Sequence, residues 1–174
     1  MRQRFTTPAF DDLRSPASGI NPAGSPSAAT PSLVDGSLTF TKGNVATVWF
    51  QIPHSWEEGS AIYPHIHWSK TTSAVGIVNW QIKYKVINIG EVAPAFSAYI
   101  AGTEAVPNSD TANKHALLSF PTISMIGKTL SAMVCIYLER INDGIDTYSP
   151  AVNLYEVDLH YKVDGFGSRQ EVIK

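Results

Sequence analysis

Across 174 residues, no window of helical length carries a sustained 3.6-residue apolar period, while segment after segment alternates with a period of two. Gly76–Ile87 alternates most cleanly. Val78, Trp80, Ile82, Tyr84 and Val86 share one face, and Asn79, Gln81, Lys83 and Lys85 the other. That is the pattern of an antiparallel strand with one face buried and one solvated. About eight such segments, punctuated by Gly, Pro, Asn and Asp turns, predict an all-β fold, a jelly-roll-type antiparallel β-sandwich.

The segments follow in order over residues 37–174. Ser37–Phe40 precedes the turn Thr41–Asn44. Val45–Ile52 sets Val48, Phe50 and Ile52 against Thr47, Trp49 and Gln51, and Pro53 ends it. Ile62–Lys70 puts Ile62, Ile66 and Trp68 on one face and Tyr63, His65 and His67 on the other. Ala95–Ile100 and Lys114–Phe120 are shorter strands on either side of a turn at Pro107–Asp110. Lys128–Arg140 reads as one long strand, and Asn142–Gly144 is a strong turn. Asn153–Val163 points Tyr155, Val157, Leu159 and Tyr161 inward and Glu156, Asp158, His160 and Lys162 outward.

Residues 1–36 have a different character. Pro16, Pro22, Pro26 and Pro31 stand among Ser, Ala, Gly and Asn, and proline blocks both helix and inner-strand pairing. This composition predicts an extended N-terminal arm. Phe5, Phe10 and Leu13 near its start are apolar anchors, and they predict docking on a neighbour.

Only 16% of the residues are charged, against roughly a quarter in an average domain. So little charge suits a chain whose surface is partly covered by copies of itself, so we expect a homo-oligomer. The net charge of −2 and the absence of any Lys/Arg run argue against nucleic acid as a partner. No apolar stretch approaches the roughly 20 residues that span a bilayer, and Arg2 and Arg4 precede no hydrophobic segment, so we expect a soluble product of a cytoplasm. A single cysteine, Cys135, excludes an internal disulfide and reads as a small core residue.

His65 and His67 stand at i and i+2, so a strand would point both rings to one face. With Gly59 they match the first half of a cupin metal motif. That motif also needs a glutamate about four residues on, yet Ser69, Lys70, Thr71 and Thr72 fill the window, and Lys70 would oppose a cation. Glu156, Asp158 and His160 share an outward face, which leaves a two-strand site conceivable. The expectation is nonetheless no metal, no cofactor and no catalytic residue, with His65 and His67 at a subunit interface. Trp49, outward on its strand, is expected at that interface too. No nucleophile elbow or nucleotide-binding glycine motif is present in the sequence.

Several short motifs in order carry a resemblance. They are Phe10-Asp-Asp-Leu13, Asn21-Pro22, Asp35-Gly-Ser-Leu-Thr-Phe40, Gln51-Ile-Pro-His54 with Glu58-Gly59, Pro64-His-Ile-His-Trp68, Asp158-Leu-His-Tyr161 and Gly167-Ser-Arg-Gln170. Together they resemble a family of small virion-associated proteins of tailed bacteriophages. The resemblance implies a capsid-, neck- or fibre-type structural component, localised to the virion after assembly in a host cytoplasm, and it brings no catalytic set. Expected partners are further copies, as a trimer, and capsid, portal or neck/tail proteins. The alternative is a host-glycan binding module with Trp56, Tyr99 or Tyr148 at loop tips. A cupin-like metalloenzyme is the third reading.

Overall fold

The computed structural model describes residues 7, 9–22, 30–106 and 111–167, with backbone alone at 103–106. Ten strands are present among the described residues: β1 (Ala9–Pro16), β2 (Ser32–Val34), β3 (Ser37–Phe40), β4 (Val45–Gln51), β5 (Ile62–Lys70), β6 (Gly76–Ile87), β7 (Ile100–Val106), β8 (Ala116–Ser119), β9 (Met133–Arg140) and β10 (Val152–Val163). A single 3-10 turn covers Ala17–Gly19.

The pairing follows one rule. β3 pairs with β10, β4 with β9, β5 with β8 and β6 with β7, all antiparallel. The chain is thus a long antiparallel ribbon whose tip lies between β6 and β7. Rolling that ribbon gives two sheets, one ordered β2-β3-β10-β5-β8 with β1 also on β10, and the other β4-β9-β6-β7. This winding is a jelly roll, as the alternation predicts. We refer to the β10-centred sheet as the first and the β9-centred sheet as the second.

The core lies between the sheets, because each strand turns its apolar set inward. Phe40, Val48, Phe50, Ile66, Val78, Ile82, Ile136, Leu138, Leu154, Val157 and Leu159 are all buried there. Trp80 centres the packing, with edge contacts to Phe40 at 5.1 Å and to Trp68 at 6.4 Å between ring centroids. One charge is buried with them. Arg140 donates through Nε and Nη2 to both Asp146 carboxylate oxygens at 2.9 and 3.0 Å, and through Nη1 to the carbonyls of Phe40 and Pro150. Its Nη2 also donates to the Tyr148 carbonyl. A fully paired guanidinium is tolerated in a core and pins the Asp143–Pro150 loop across the end of the sandwich.

Five local expectations change. The proposed arm over 1–36 is, where described, sheet: β1 runs antiparallel along β10 from Ala9↔Val163 to Pro16↔Glu156, and β2 pairs with β3. Pro16 is accommodated because it sits at the end of an edge strand. The body therefore begins before residue 37. Ala95–Ile100 is not a strand. It folds back over the second sheet, where Ser97 N–H bonds the Tyr84 carbonyl at 2.7 Å, and β7 starts at Ile100. The segment Lys128–Arg140 becomes strand only from Met133, after a turn with Ser131 at φ 61°. Tyr155 points outward, because a β-bulge between Leu154 and Glu156 inserts it. Trp56 and Tyr148, expected at loop tips, are fully buried, since their loops fold inward. The turn at Pro107–Asp110 falls outside the described residues.

Candidate functional site

The outward face of the first sheet carries a cluster of histidines and carboxylates. Strand register creates it. Asp158 on β10 stands opposite His65 on β5, Glu156 opposite His67, and His160 opposite Asp12 on β1. Alternation points all of them away from the core, and Lys70, two-residue parity apart, turns to the core side with Trp68. The two sheet neighbours and the side chains around it cover the middle of the cluster: His65 is 4% exposed and Asp158 2%.

Asp158 is the hub. Its Oδ1 lies 2.8 Å from His65 Nε2 and its Oδ2 3.3 Å from His67 Nε2. The first contact is close enough for electrostatic pairing, yet it is off the line that a hydrogen bond requires, and Oδ1 has no hydrogen-bond partner. His67 Nδ1 continues the chain to His115 Nε2 at 2.7 Å, and the His160 ring stands edge-on to His65 with centroids 4.0 Å apart. Asp12 Oδ1 holds His160 Nε2 at 2.6 Å. Arg14 grips Glu156 with two bonds, Nε–Oε1 at 2.5 Å and Nη2–Oε2 at 2.8 Å. Burial, the largest influence on His65, lowers its pKa. The contact and charge of Asp158 outweigh it, so the net direction is upward.

Two three-residue sets in this cluster bring one ligand-type atom each within 4.8 Å of the others: His65, Asp158 and His160, and His67, Glu156 and Asp158. Sequence reasoning placed Glu156, Asp158 and His160 on one face. It sought a carboxylate after His67 along the same strand and left a two-strand site conceivable, and the structure places Asp158 of the neighbouring strand opposite His65.

The outward face of the second sheet is built from aromatic rings and lysines. Trp49 and Tyr99 are each 47% exposed. Lys83 Nζ stands 4.2 Å from the Tyr137 ring centroid and 4.9 Å from Tyr99, and Lys85 Nζ stands 4.8 Å from Phe96 and 5.5 Å from Trp49. Ammonium groups over ring faces fix both partners. Gln81 Nε2 donates to Glu139 Oε2 at 2.8 Å beside them. Burial above all, with the charge of Glu139 adding to it, raises the phenol pKa of Tyr99 and of Tyr137, so both remain hydroxyl groups at neutral pH. Beneath this layer Cys135 is buried on the outward side and outside the inter-sheet core, and burial pushes its thiol up to about 11.

The residues expected to bind or to form interfaces are therefore distributed as follows. Trp49 lies in an open aromatic face. His65, expected at a subunit interface, is covered by its own chain and serves as a charge partner of Asp158, while His67 remains partly exposed. Phe10 packs edge-on against Tyr63 of the same chain at 5.7 Å, and Leu13 packs on the core, so both anchor β1 to its own body. Phe5 lies outside the described residues.

No family model matches the chain, and no curated protein does. Solved structures are similar in architecture. A latent PorU from Porphyromonas gingivalis aligns with 94% of this chain at 11% identity and a TM-score of 0.46, and the chain spans only 14% of that protein's length. The CBM22-1 xylan-binding domain of Paenibacillus barcinonensis Xyn10C aligns over 88% of this chain and 87% of its own, at 12% identity and a TM-score of 0.39. The infectious bursal disease virus Gx strain structure aligns over 92% of this chain and 33% of its own, at 13% identity and a TM-score of 0.40.

Proposed function

We propose that this chain is a non-catalytic structural component of a tailed-phage virion, and that it self-associates through the outward face of its second sheet. The observation that carries the binding role is the aromatic layer in which Trp49 and Tyr99 stand half exposed beside Phe96 and the buried Tyr137, ordered in advance by Lys83 and Lys85. An ordered, half-exposed aromatic face loses little side-chain entropy on docking. The virion assignment rests on the motif resemblance between Phe10 and Gln170.

The occupant of that face is a second copy. The low share of charged residues, 16%, supports this, because it suits a surface partly covered by copies of the chain. A heterologous contact made by this face closes into a ring such as a trimer. The attachment role expected of the N-terminal residues is confined to those preceding β1, because β1 itself belongs to the body.

Native mass spectrometry and light scattering of the full chain test the assembly. We expect a closed oligomer that Trp49→Ala together with Lys85→Glu returns to monomer. A wild-type chain that stays monomeric at roughly 100 µM, far above the micromolar range of ordinary assembly contacts, sinks the proposal. Antibody labelling of purified particles tests the virion location, and unlabelled particles count against it. A second reading, glycan binding by the same face, is favoured by the polar Gln81–Glu139 pair beside Tyr99. Glycan-array binding by a monomeric wild-type chain, abolished by Trp49→Ala, favours that reading over self-association.

A further inference from the structure

We infer that His65, Asp158 and His160 form a binding site for a zinc-class divalent ion on the outward face of the first sheet. The inference is independent of the assembly reading, which uses the other sheet.

The three residues come from two adjacent strands and share one face by register. Their ligand-type atoms all lie within 4.8 Å of one another. Two imidazole nitrogens and a carboxylate are a donor set suited to zinc and its borderline neighbours. Ligands at about 2.1 Å from a tetrahedral ion stand roughly 3.4 Å apart, so the atoms need small adjustments and no strand needs to move.

A second observation points to a cation. Asp158 is 2% exposed, yet its Oδ1 has no hydrogen-bond partner. A buried carboxylate oxygen without a donor is costly, and native folds rarely leave one so. His65 Nε2 lies 2.8 Å from that oxygen but out of hydrogen-bond alignment. Two lone-pair atoms brought this close and not aimed at each other suit convergence on a shared third atom. A backbone group of Tyr63 hydrogen-bonds the His65 ring, and Asp12 contacts His160 Nε2 at 2.6 Å. Outer partners of this kind orient metal-bound imidazoles.

The neighbouring set of His67, Glu156 and Asp158 is the weaker candidate. Arg14 occupies both Glu156 oxygens and places a guanidinium beside them. In the chosen set the His160 side chain is 40% exposed, which gives the ion an entry path and leaves a coordination position open to solvent or to a carboxylate from another molecule. Bound there, the ion ties β5 to β10.

The test uses the untagged full chain, stripped with EDTA and then dialysed against ZnCl2 or CoCl2. We expect about one ion per chain, with the visible absorption of four- or five-coordinate cobalt. His160→Gln should weaken uptake by at least about tenfold, Asp158→Asn by more, and Asp12→Ala by about tenfold through loss of ring orientation. His54→Gln, outside the cluster and bonded to Ser131, should leave uptake unchanged. Because Asp158→Asn alters a buried group, His160→Gln at its half-exposed position is the deciding variant, with circular dichroism confirming its fold. Two results would overturn the site: no uptake by wild type at roughly 100 µM metal, well above ordinary protein affinities for zinc, or equal uptake by wild type and His160→Gln.

Discussion

The two outward faces of the sandwich are made by the same alternation and have opposite characters. On the first sheet, polar side chains engage one another and leave one buried oxygen, Asp158 Oδ1, without a hydrogen bond: Asp158 faces His65 and His67, Asp12 holds His160, and Arg14 holds Glu156. On the second, Trp49, Phe96, Tyr99 and Tyr137 form a layer over which lysines sit, and Trp49 and Tyr99 stay half in contact with solvent. β1 sharpens the difference. It adds a strand to β10 and carries Asp12 and Arg14 to the polar cluster, while the second sheet gains only the loose segment before Ile100. In a jelly roll the inner faces are committed to the core. The outer faces are where a chain can differentiate, one closing on itself and one left open to a partner.

Removing β1 should break the contrast most severely. Deletion of residues 1–16 takes away an eight-residue ladder on β10, the packing of Leu13, and Asp12 and Arg14. Burial of one leucine and a few net hydrogen bonds add to on the order of 4 kcal/mol or more, a large part of the roughly 5–15 kcal/mol that holds a domain. We expect the truncated chain to lose its cooperative thermal transition or to shift it far downward. A truncated chain that melts within a few degrees of wild type would make β1 an appendage and return it to the role of an arm.

Asp158→Ala comes next. It leaves His65 and His67 without their shared carboxylate and opens a small void, at a cost of about 1–3 kcal/mol in urea unfolding. Trp49→Ala on the opposite face should cost less than about 1 kcal/mol, because half of that ring is already in solvent, while changing assembly or ligand binding far more. Equal destabilisation by the two substitutions would erase the distinction between a face closed on itself and an open one.

Much of this architecture was legible in the sequence, because period-two alternation fixes which side chains enter the core whatever the pairing. Val78, Trp80 and Ile82 show this on β6, as do Val157 and Leu159 on β10. The inserted residue at Tyr155 was not legible, since a bulge is set by the partner strand. Nor was the burial of Trp56 and Tyr148. Their loops carry polar and glycine signals, but Arg140 draws the Asp143–Pro150 loop inward through tertiary hydrogen bonds, and a bridge to Val163 holds Trp56 against β10. The polar cluster was half legible. The outward positions of His65, His67, Asp158 and His160 follow from parity, but that Asp158 faces His65 is a fact of register between strands some ninety residues apart. β1 was missed because proline-rich composition masks a strand whose proline sits only at its end.

The smallest expected effect concerns Cys135, which lies on the outward side of β9 between Trp49 and Lys85 in register. Burial raises its pKa to about 11, and the charge of Lys85 offsets only part of that. Because the folded pKa exceeds the unfolded one, the protein side of this linkage is unperturbed at neutral pH, and stability falls as pH rises from the ordinary thiol range toward 11. At pH 8 the thiol therefore stays protonated and shielded. Iodoacetamide should label it slowly in the folded chain and rapidly in urea. In the Trp49→Ala variant, folded labelling should quicken, since the ring that flanks the sulfur is gone. Labelling as fast in the wild-type folded chain as in urea would mean that the aromatic layer opens freely in solution, and it could not then serve as a pre-ordered docking face.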